Sequence, residues 1–312
     1  MKLAPLQIGK NRIENNVLSA PLAGYTNYPF RKLVKGYGAG LCFTEMVSAK
    51  GLKYGSENTE ELLYTHPDEG VCAVQIFGSE PYTMRLACEH EKLAPFPIVD
   101  INMGCPVPKI YKNGEGSALL ENPDLAEEIV KACVKSGKTV TVKFRIGVNA
   151  DKLVTEEFAK RMEGAGASML TIHGRTRDKM YAGEVHFEEI AKAKRAVKIP
   201  VIANGGVFSD EDAQTLLDRT GADGVMMARA MLFNPQIFCQ LTGNAGESKL
   251  NMFEKQLKWT GQVFDERFTV VFMRKMAAFY IKGERNASQI KEQLFHSTTP
   301  QEILEIVKKH WQ

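Results

Sequence analysis

Short apolar or β-branched runs recur along residues 17–228: VLSA at 17–20, LCFTEM at 41–46, VCAVQIF at 71–77, IVDIN at 98–102, TVTVKFR at 139–145, SMLTIH at 168–173, PVIAN at 200–204 and DGVMMA at 223–228. Runs of this length, without strict alternation, suit strands buried on both faces. Most are followed by a stretch of helical periodicity. PDLAEEIVKACVKSG at 123–137 ends on Gly137. SDEDAQTLLDRTG at 209–221 opens with Ser209 as N-cap, has Asp212 three residues on, and closes on Gly221. Only the second unit is irregular, because AKGLKYGSENTEELLYTHPDEG at 49–70 reads as a weak helix with a long polar exit. Strand–helix alternation predicts a parallel sheet, and eight units predict closure into a (β/α)8 TIM barrel of about 250 residues.

Two segments fall outside that pattern. LQIGKNRIENN at 6–16 predicts a short hairpin turned at Gly9-Lys10, placed to plug the bottom of the barrel. GNAGES at 243–248 is a break, after which the pattern turns purely helical: FEKQLKWTGQVF, FTVVFMRKMAAFYIKG, ASQIKEQLFHS and PQEILEIVKKHW. The expected organisation is therefore an α/β barrel domain over 1–243 and a small all-helical C-terminal domain over 244–312.

Composition changes this picture little. Hydrophobic residues make up 44% and charged residues 25%, the balance of a globular protein with a sizeable core. The six cysteines (42, 72, 88, 105, 133 and 239) have no paired spacing and read as reduced thiols. No secretory leader and no membrane-spanning run is legible, so a cytoplasmic protein is expected, with a monomer as the default. The net charge of +3 lies wholly in residues 244–312, which carry 11 Lys/Arg against 8 Asp/Glu, leaving 29 against 29 before them. A polyanionic partner for the helices is one reading of that excess, and a solvated face is the other.

Catalytic groups of a βα-barrel lie at the C-terminal ends of its strands. Those ends carry APLAGYTN, Gln75, NMGCP, Lys143, HGRTR, NGG and ARA in order. Any one buried polar group can be satisfied by a neighbour, but seven at corresponding positions point to a ligand site. Asn204-Gly205-Gly206 and Ala228-Arg229 follow strands seven and eight, where barrels often bind a phosphate through backbone N–H groups. Arg229 can add a charge-assisted fork. Lys143 requires an anion, and a flavin gains negative charge at its N1/O2 edge on reduction. Gln75 and Asn102 can hydrogen-bond the pyrimidine edge of such a ring. Cys105 is the one cysteine in an exposed, glycine-flanked loop beside the site, where a protonated thiol can serve as general acid, and the other five read as core. His173 is open to three roles: flavin contact, proton shuttle or structural histidine. GYGAG at 36–40 and GEGSA at 114–118 do not sit in a GxGxxG frame and are read as turns.

With these residues in place the chain resembles the tRNA-dihydrouridine synthases over nearly its whole length. The resemblance rests on APLAGYTNYPFR (20–31), FTEM (43–46), VQIFGSEP (74–81), DINMGCPVPKIYKNGEGSALL (100–120), TVKFRIG (141–147), TIHGRTR (171–177), VIANGGV (201–207) and MMARAML (226–232). RKMAAFYIKG at 274–283 is similar to the family's C-terminal RK…Y.KG signature.

The resemblance implies an FMN-dependent reduction of the 5,6 double bond of specific uridines in tRNA, with NADPH as transient hydride donor. It implies cofactor contacts from Pro21, Leu22, Ala23, Gln75, Lys143, His173, Asn204, Gly205, Gly206, Ala228 and Arg229, with Asn102 between flavin and base and Cys105 as proton donor. The expected tRNA contacts are Lys109, Lys112, Arg175, Arg177, Arg274 and Lys282. Two departures stand out. Leu22, Tyr25 and Asn27 replace the APMAGVTD pattern of many members, removing an acid at 27. Asn204-Gly205-Gly206 replaces NGD, removing a side-chain contact to the cofactor's ribityl chain.

Three other readings compete: a flavin barrel reducing a small pyrimidine or other metabolite, a tRNA-binding protein whose redox activity is lost, and a colourless barrel acting on sugar phosphates. The helical platform argues against the first, and the intact Cys105, Lys143 and phosphate-site residues argue against the second.

Overall fold

The computed structural model describes residues 2–311. A hairpin of β1 (Leu6–Ile8) and β2 (Asn11–Ile13) precedes eight strands: β3 (Val17–Ser19), β4 (Cys42–Ser48), β5 (Cys72–Phe77), β6 (Ile98–Met103), β7 (Thr139–Arg145), β8 (Leu170–His173), β9 (Val201–Asn204) and β10 (Gly224–Met227). All eight are parallel, in the order β3-β10-β9-β8-β7-β6-β5-β4. The ring closes where Leu18 bridges Leu41, with the Ser19 N–H donating to the Leu41 carbonyl at 3.0 Å. Each strand falls within two residues of its expected span.

Between and after the strands come α1 (Tyr28–Gly36), α2 (Ala49–Lys53), α3 (Glu57–Glu61), α4 (Pro81–Glu89), α5 (Pro108–Lys112), α6 (Pro123–Val134), α7 (Thr155–Gly164), α8 (Phe187–Ala196), α9 (Asp210–Thr220), α10 (Arg229–Phe233) and α11 (Ile237–Thr242). The caps of α9 are those read from sequence. Ser209 Oγ accepts from the Asp212 N–H at 3.0 Å, and Gly221 takes the left-handed conformation at φ +65°. The irregular second unit resolves into α2, α3 and a 3-10 turn at Pro67–Glu69. That turn is pinned from beneath by Arg31, which is fully buried. Its Nε and Nη2 donate to the Glu69 carboxylate at 2.5 and 3.0 Å, and its Nη1 donates to the Thr26 carbonyl at 2.8 Å.

The N-terminal hairpin turns at Gly9, φ +56°, and seals the N-terminal end of the barrel. Asn11 Nδ2 donates to Thr139 Oγ1 at 2.9 Å, and a Cβ on Gly9 would lie 2.8 Å from Thr139 Cγ2. After Gly243, also left-handed, come α12 (Lys249–Val263), α13 (Glu266–Tyr280), α14 (Ala287–His296) and α15 (Pro300–Trp311). These helices pack on the barrel through α1–α12 and α10–α13 contacts, so one apolar core runs from the strands into them. Among the described residues no helix is long and apolar enough to cross a membrane.

Candidate active site

The C-terminal ends of the strands open into a cavity of about 620 Å³. Its wall contains every residue expected at the cofactor and catalytic site. Pro21, Leu22 and Ala23 come from the loop after β3, Gln75 from β5, Asn102 and Cys105 from β6 and its exit, and Lys143 from β7. His173 closes β8, Asn204 to Gly206 follow β9, and Ala228 and Arg229 follow β10. Parallel strands of matched register present these groups at one level, which is why residues so distant in sequence meet.

The buried polar groups are satisfied by one another. Gln75 Nε2 donates to Asp100 Oδ2 at 2.7 Å, Thr141 Oγ1 donates to Asp100 Oδ1 at 2.6 Å, and Asn102 Nδ2 donates to Gln75 Oε1 at 2.8 Å. Asn102 Oδ1 accepts from the Gly104 and Cys105 N–H groups at 3.1 and 2.9 Å. The network fixes the Cys105 loop and leaves Gln75 one amide hydrogen for a ligand, while the second amide hydrogen of Asn102 meets only the weak acceptor Met46 Sδ, at 3.9 Å. Asp100, fully enclosed, is pushed up to about 6 by burial, against the hydrogen bonds from Thr141 and Gln75 and the charge of Lys143.

Cys105 differs from expectation. It lines the cavity but is only 9% exposed, because the loop folds back and both the N–H and the hydroxyl of Ser117 bond its carbonyl, at 3.1 and 2.8 Å. Burial raises its thiol above the usual range, outweighing a backbone hydrogen bond and the nearby Arg145 and Lys143. The proton is therefore held through neutral pH. The other five cysteines are core residues.

Positive charge collects beside that network, because Lys143 on β7 is the register partner of Asn102 on β6. Lys143 makes no hydrogen bond among the described residues, and burial, with Arg145 next, lowers it to about 8. His173 is held well below its ordinary value by burial and then by Arg145, Lys143, Arg175 and Arg229. Four cations converging on a neutral histidine, only Lys143 among them facing the charge of Asp100, form a site for an anion. The glycine pair completes it. Gly205 and Gly206 have φ of +125° and +75°, and a Cβ on Gly205 would meet His173 Cδ2 at 3.1 Å. Gly206 suits this backbone, since a side chain there, as in NGD, would be strained by its φ and would lie 3.1 Å from Val185 Cγ2. An unpartnered ammonium, amide donors along one edge and a cationic cradle at the far end fit a flavin mononucleotide.

The residues expected to meet tRNA divide. Lys109, Lys112 and Lys282 are exposed, with Lys282 4.2 Å above the Phe233 ring. Arg177 is half-buried, its guanidinium 3.6 Å from the Tyr111 ring. Arg274 spends its Nη1 on the Phe295 and Ser297 carbonyls, at 2.7 and 3.1 Å, tying α13 to the end of α14. Arg175 is 7% exposed and faces the cavity, with Nε donating to the Gly183 carbonyl at 3.0 Å.

Sequence reasoning missed Arg145, which holds two rim loops by donating to Gly104 at 2.9 Å, Thr176 at 3.1 Å and Met180 at 2.7 Å. Its signal was present, since Lys143 and Arg145 are two apart on one strand and so share a face. Glu45, Tyr25, Lys275 and Phe279 were missed too. Tyr25 and Phe279 line the cavity mouth and pack edge-to-face at 5.6 Å.

Among solved structures the old yellow enzyme homologue of Zymomonas mobilis superposes with a TM-score of 0.57 at 14% identity, covering 81% of this chain and 95% of that one. A 2-naphthoyl-CoA reductase superposes at 0.61 with 12% identity, over 77% and 51% of the two chains. At such identities the likeness is one of fold. Sequence relatives are much nearer. The probable tRNA-dihydrouridine synthase 1 of Synechocystis is 39% identical over 96% of this chain and 87% of its own, and tRNA-dihydrouridine synthase B of Pasteurella multocida is 35% identical over 96% and 93%. The dihydrouridine synthase family model matches residues 18–312, taking in the whole barrel and the helices after it, and the chain belongs to that family.

Proposed function

We propose that this protein is an FMN- and NADPH-dependent tRNA-dihydrouridine synthase whose proton donor is Cys105. The observation that carries the reading is the cavity itself. A protonated thiol and an unpartnered ammonium share a wall with amide donors and a glycine-lined cationic cradle. Gln75, Asn102 and Lys143 would hold the flavin ring. Pro21, Leu22 and Ala23 would line its other edge, and Arg175, Gly205, Gly206, Ala228 and Arg229 would hold its phosphate. His173, neutral beneath that cradle, is a cofactor contact in this reading.

When bound, FMN supplies the hydride, received from NADPH, that reduces uracil at C6. Cys105 delivers its Sγ proton to C5, so that hydride and proton together saturate the double bond. Lys143 meets negative charge with a fixed positive one in a site from which water is largely excluded. Asn102 orients both partners, because its carbonyl oxygen anchors the Cys105 loop while its amide faces the cavity. A uridine stacked within folded tRNA cannot reach this depth, so it must be turned out of the stack. Residues 244–312 serve as the tRNA-binding domain, and the enzyme works as a cytoplasmic monomer.

The test is the visible spectrum of the purified protein under anaerobic conditions. Flavin bands that bleach with NADPH and return on adding unmodified tRNA are expected. A colourless protein would exclude the redox reading and revive a sugar-phosphate barrel. Reoxidation by free uridine but not by tRNA would favour a small-pyrimidine reductase, and a flavin that NADPH never bleaches would favour a binding protein.

A further inference from the structure

Across the barrel from β10, where the C-terminal helices pack, the rim carries a second surface that is both basic and aromatic. Helix α5 starts at the cavity mouth, where Val107 and Ile110 line the wall, and turns Lys109 and Lys112 outward. Its exit meets the corner after β5, with Ser79 Oγ donating to the Asn113 carbonyl at 3.4 Å. Beyond that corner α2 and α4 pack side by side and present Tyr54 and Tyr82, 76% and 61% exposed. Lys53 Nζ lies 5.7 Å from one ring centroid and 5.9 Å from the other, steadied by a 3.3 Å hydrogen bond to Thr83 Oγ1.

None of Lys50, Lys53, Lys109 and Lys112 forms an ion pair among the described residues. Lysines on the outer helices behave differently, since Lys131, Lys160 and Lys192 each pair with a glutamate one turn away. Of the acids nearby, Glu80 accepts from Thr83 and Glu115 is buried, under the charge of Lys50, while Glu57 and Glu61 on the adjoining α3 are exposed. Exposed rings cost solvation and free ammonium groups attract polyanions, so the combination suits a chain that offers both flat apolar faces and phosphates.

We propose that this shelf binds single-stranded RNA flanking the target uridine: phosphates run from the cavity over Lys109 and Lys112 to Lys53, and an unstacked base rests on Tyr54 and Tyr82. The proposal rests on tRNA being the substrate. The RNA would then be gripped on both sides of the mouth, by the helices near α13 and by this shelf.

The test is steady-state kinetics on an unmodified tRNA transcript with Tyr54→Ala/Tyr82→Ala, Tyr54→Phe/Tyr82→Phe and Lys53→Ala variants of the holoenzyme. The alanine pair should raise the tRNA KM about ten-fold, leaving kcat and the rate of flavin reduction by NADPH unchanged. The phenylalanine pair, which keeps the rings, should restore wild-type KM. Lys53→Ala should reduce the slope of log affinity against log salt by about one. An unchanged KM in the alanine pair would overturn the shelf as an RNA surface and leave it to a protein partner. A wild-type enzyme that tRNA cannot reoxidise would overturn the tRNA reading itself, and the shelf with it.

Discussion

Glu45 and Lys275 hold the same residue from opposite ends: the Glu45 carboxylate accepts the Gly24 N–H, and the Lys275 ammonium donates to the Gly24 carbonyl. Glu45 belongs to β4 and Lys275 to α13, so the loop that bears Pro21, Leu22 and Ala23 is clamped between barrel and helices. Lys275 also sits 4.1 Å over the Tyr25 ring. Burial raises Glu45 and lowers Lys275, and each one's charge partly offsets the shift of the other. Loss of Lys275 should therefore be felt at the cofactor. Lys275→Met is expected to weaken FMN binding about ten-fold, a change of about 1.4 kcal/mol, with little change in melting temperature. Fluorescence titration of the apoprotein measures it, and an unaltered Kd would make the clamp irrelevant to the cofactor.

Replacing Cys105 with alanine removes the proton but not the cradle. Dihydrouridine formation should fall by about 10² to 10⁴ while FMN stays bound and reducible by NADPH. In the wild type saturated with FMN the proton-transfer step should slow as pH rises through the raised thiol value, above the ordinary 9.0. Loss of flavin from Cys105→Ala would instead make the thiol structural.

Lys143 gives a pH dependence of opposite signs in the two forms. Without ligand, its folded value of about 8 lies below the ordinary 10.5, so the buried charge costs stability in full below about 8. That cost is relieved as pH rises from about 8 to 10.5. FMN affinity should run the other way, falling through about 8 as the ammonium loses its proton. Lys143→Met should lower affinity at neutral pH and abolish this dependence. Titrations across that range in both proteins decide it.

Arg31 and Glu69 form an enclosed ion pair, and removing one partner leaves the other buried and uncompensated. Arg31→Met is expected to cost about 3 to 5 kcal/mol, seen in chemical denaturation. Arg31→Met/Glu69→Leu should recover part of it. A double variant no more stable than the single would show that the hydrogen bonds to the Thr26 and Tyr64 carbonyls, not the pair, carry the energy.

Much of this was legible in the chain because strand runs, caps and glycines act locally. The eight apolar runs, Ser209 with Gly221 and the turn at Gly9 all depend on residues within a few positions. The wall residues were legible because parallel strands bring equivalent ends to one level. What sequence hid were relations across the fold. Nothing near Glu45 signals Lys275, and nothing near Arg175 says that it turns inward when Arg177 does not. Asn27 shows both sides. Its Oδ1 caps α1 as an acid would, accepting from Phe30 at 3.1 Å, yet its Nδ2 is buried without a partner, a cost visible only once the helix is packed.

The hairpin at the foot of the barrel makes the molecule a cul-de-sac. Asn11 and Gly9 are fitted against Thr139 at the blind end, so whatever enters past Tyr25 and Phe279 must leave the same way. In the proposed reaction a hydride donor and a uridine would share one doorway and take turns: the spent donor would depart before the RNA arrives, and the reduced RNA before the next donor. Traffic of that kind gives parallel lines in double-reciprocal plots and mutual inhibition at excess. Intersecting lines would mean that the two substrates occupy the cavity together.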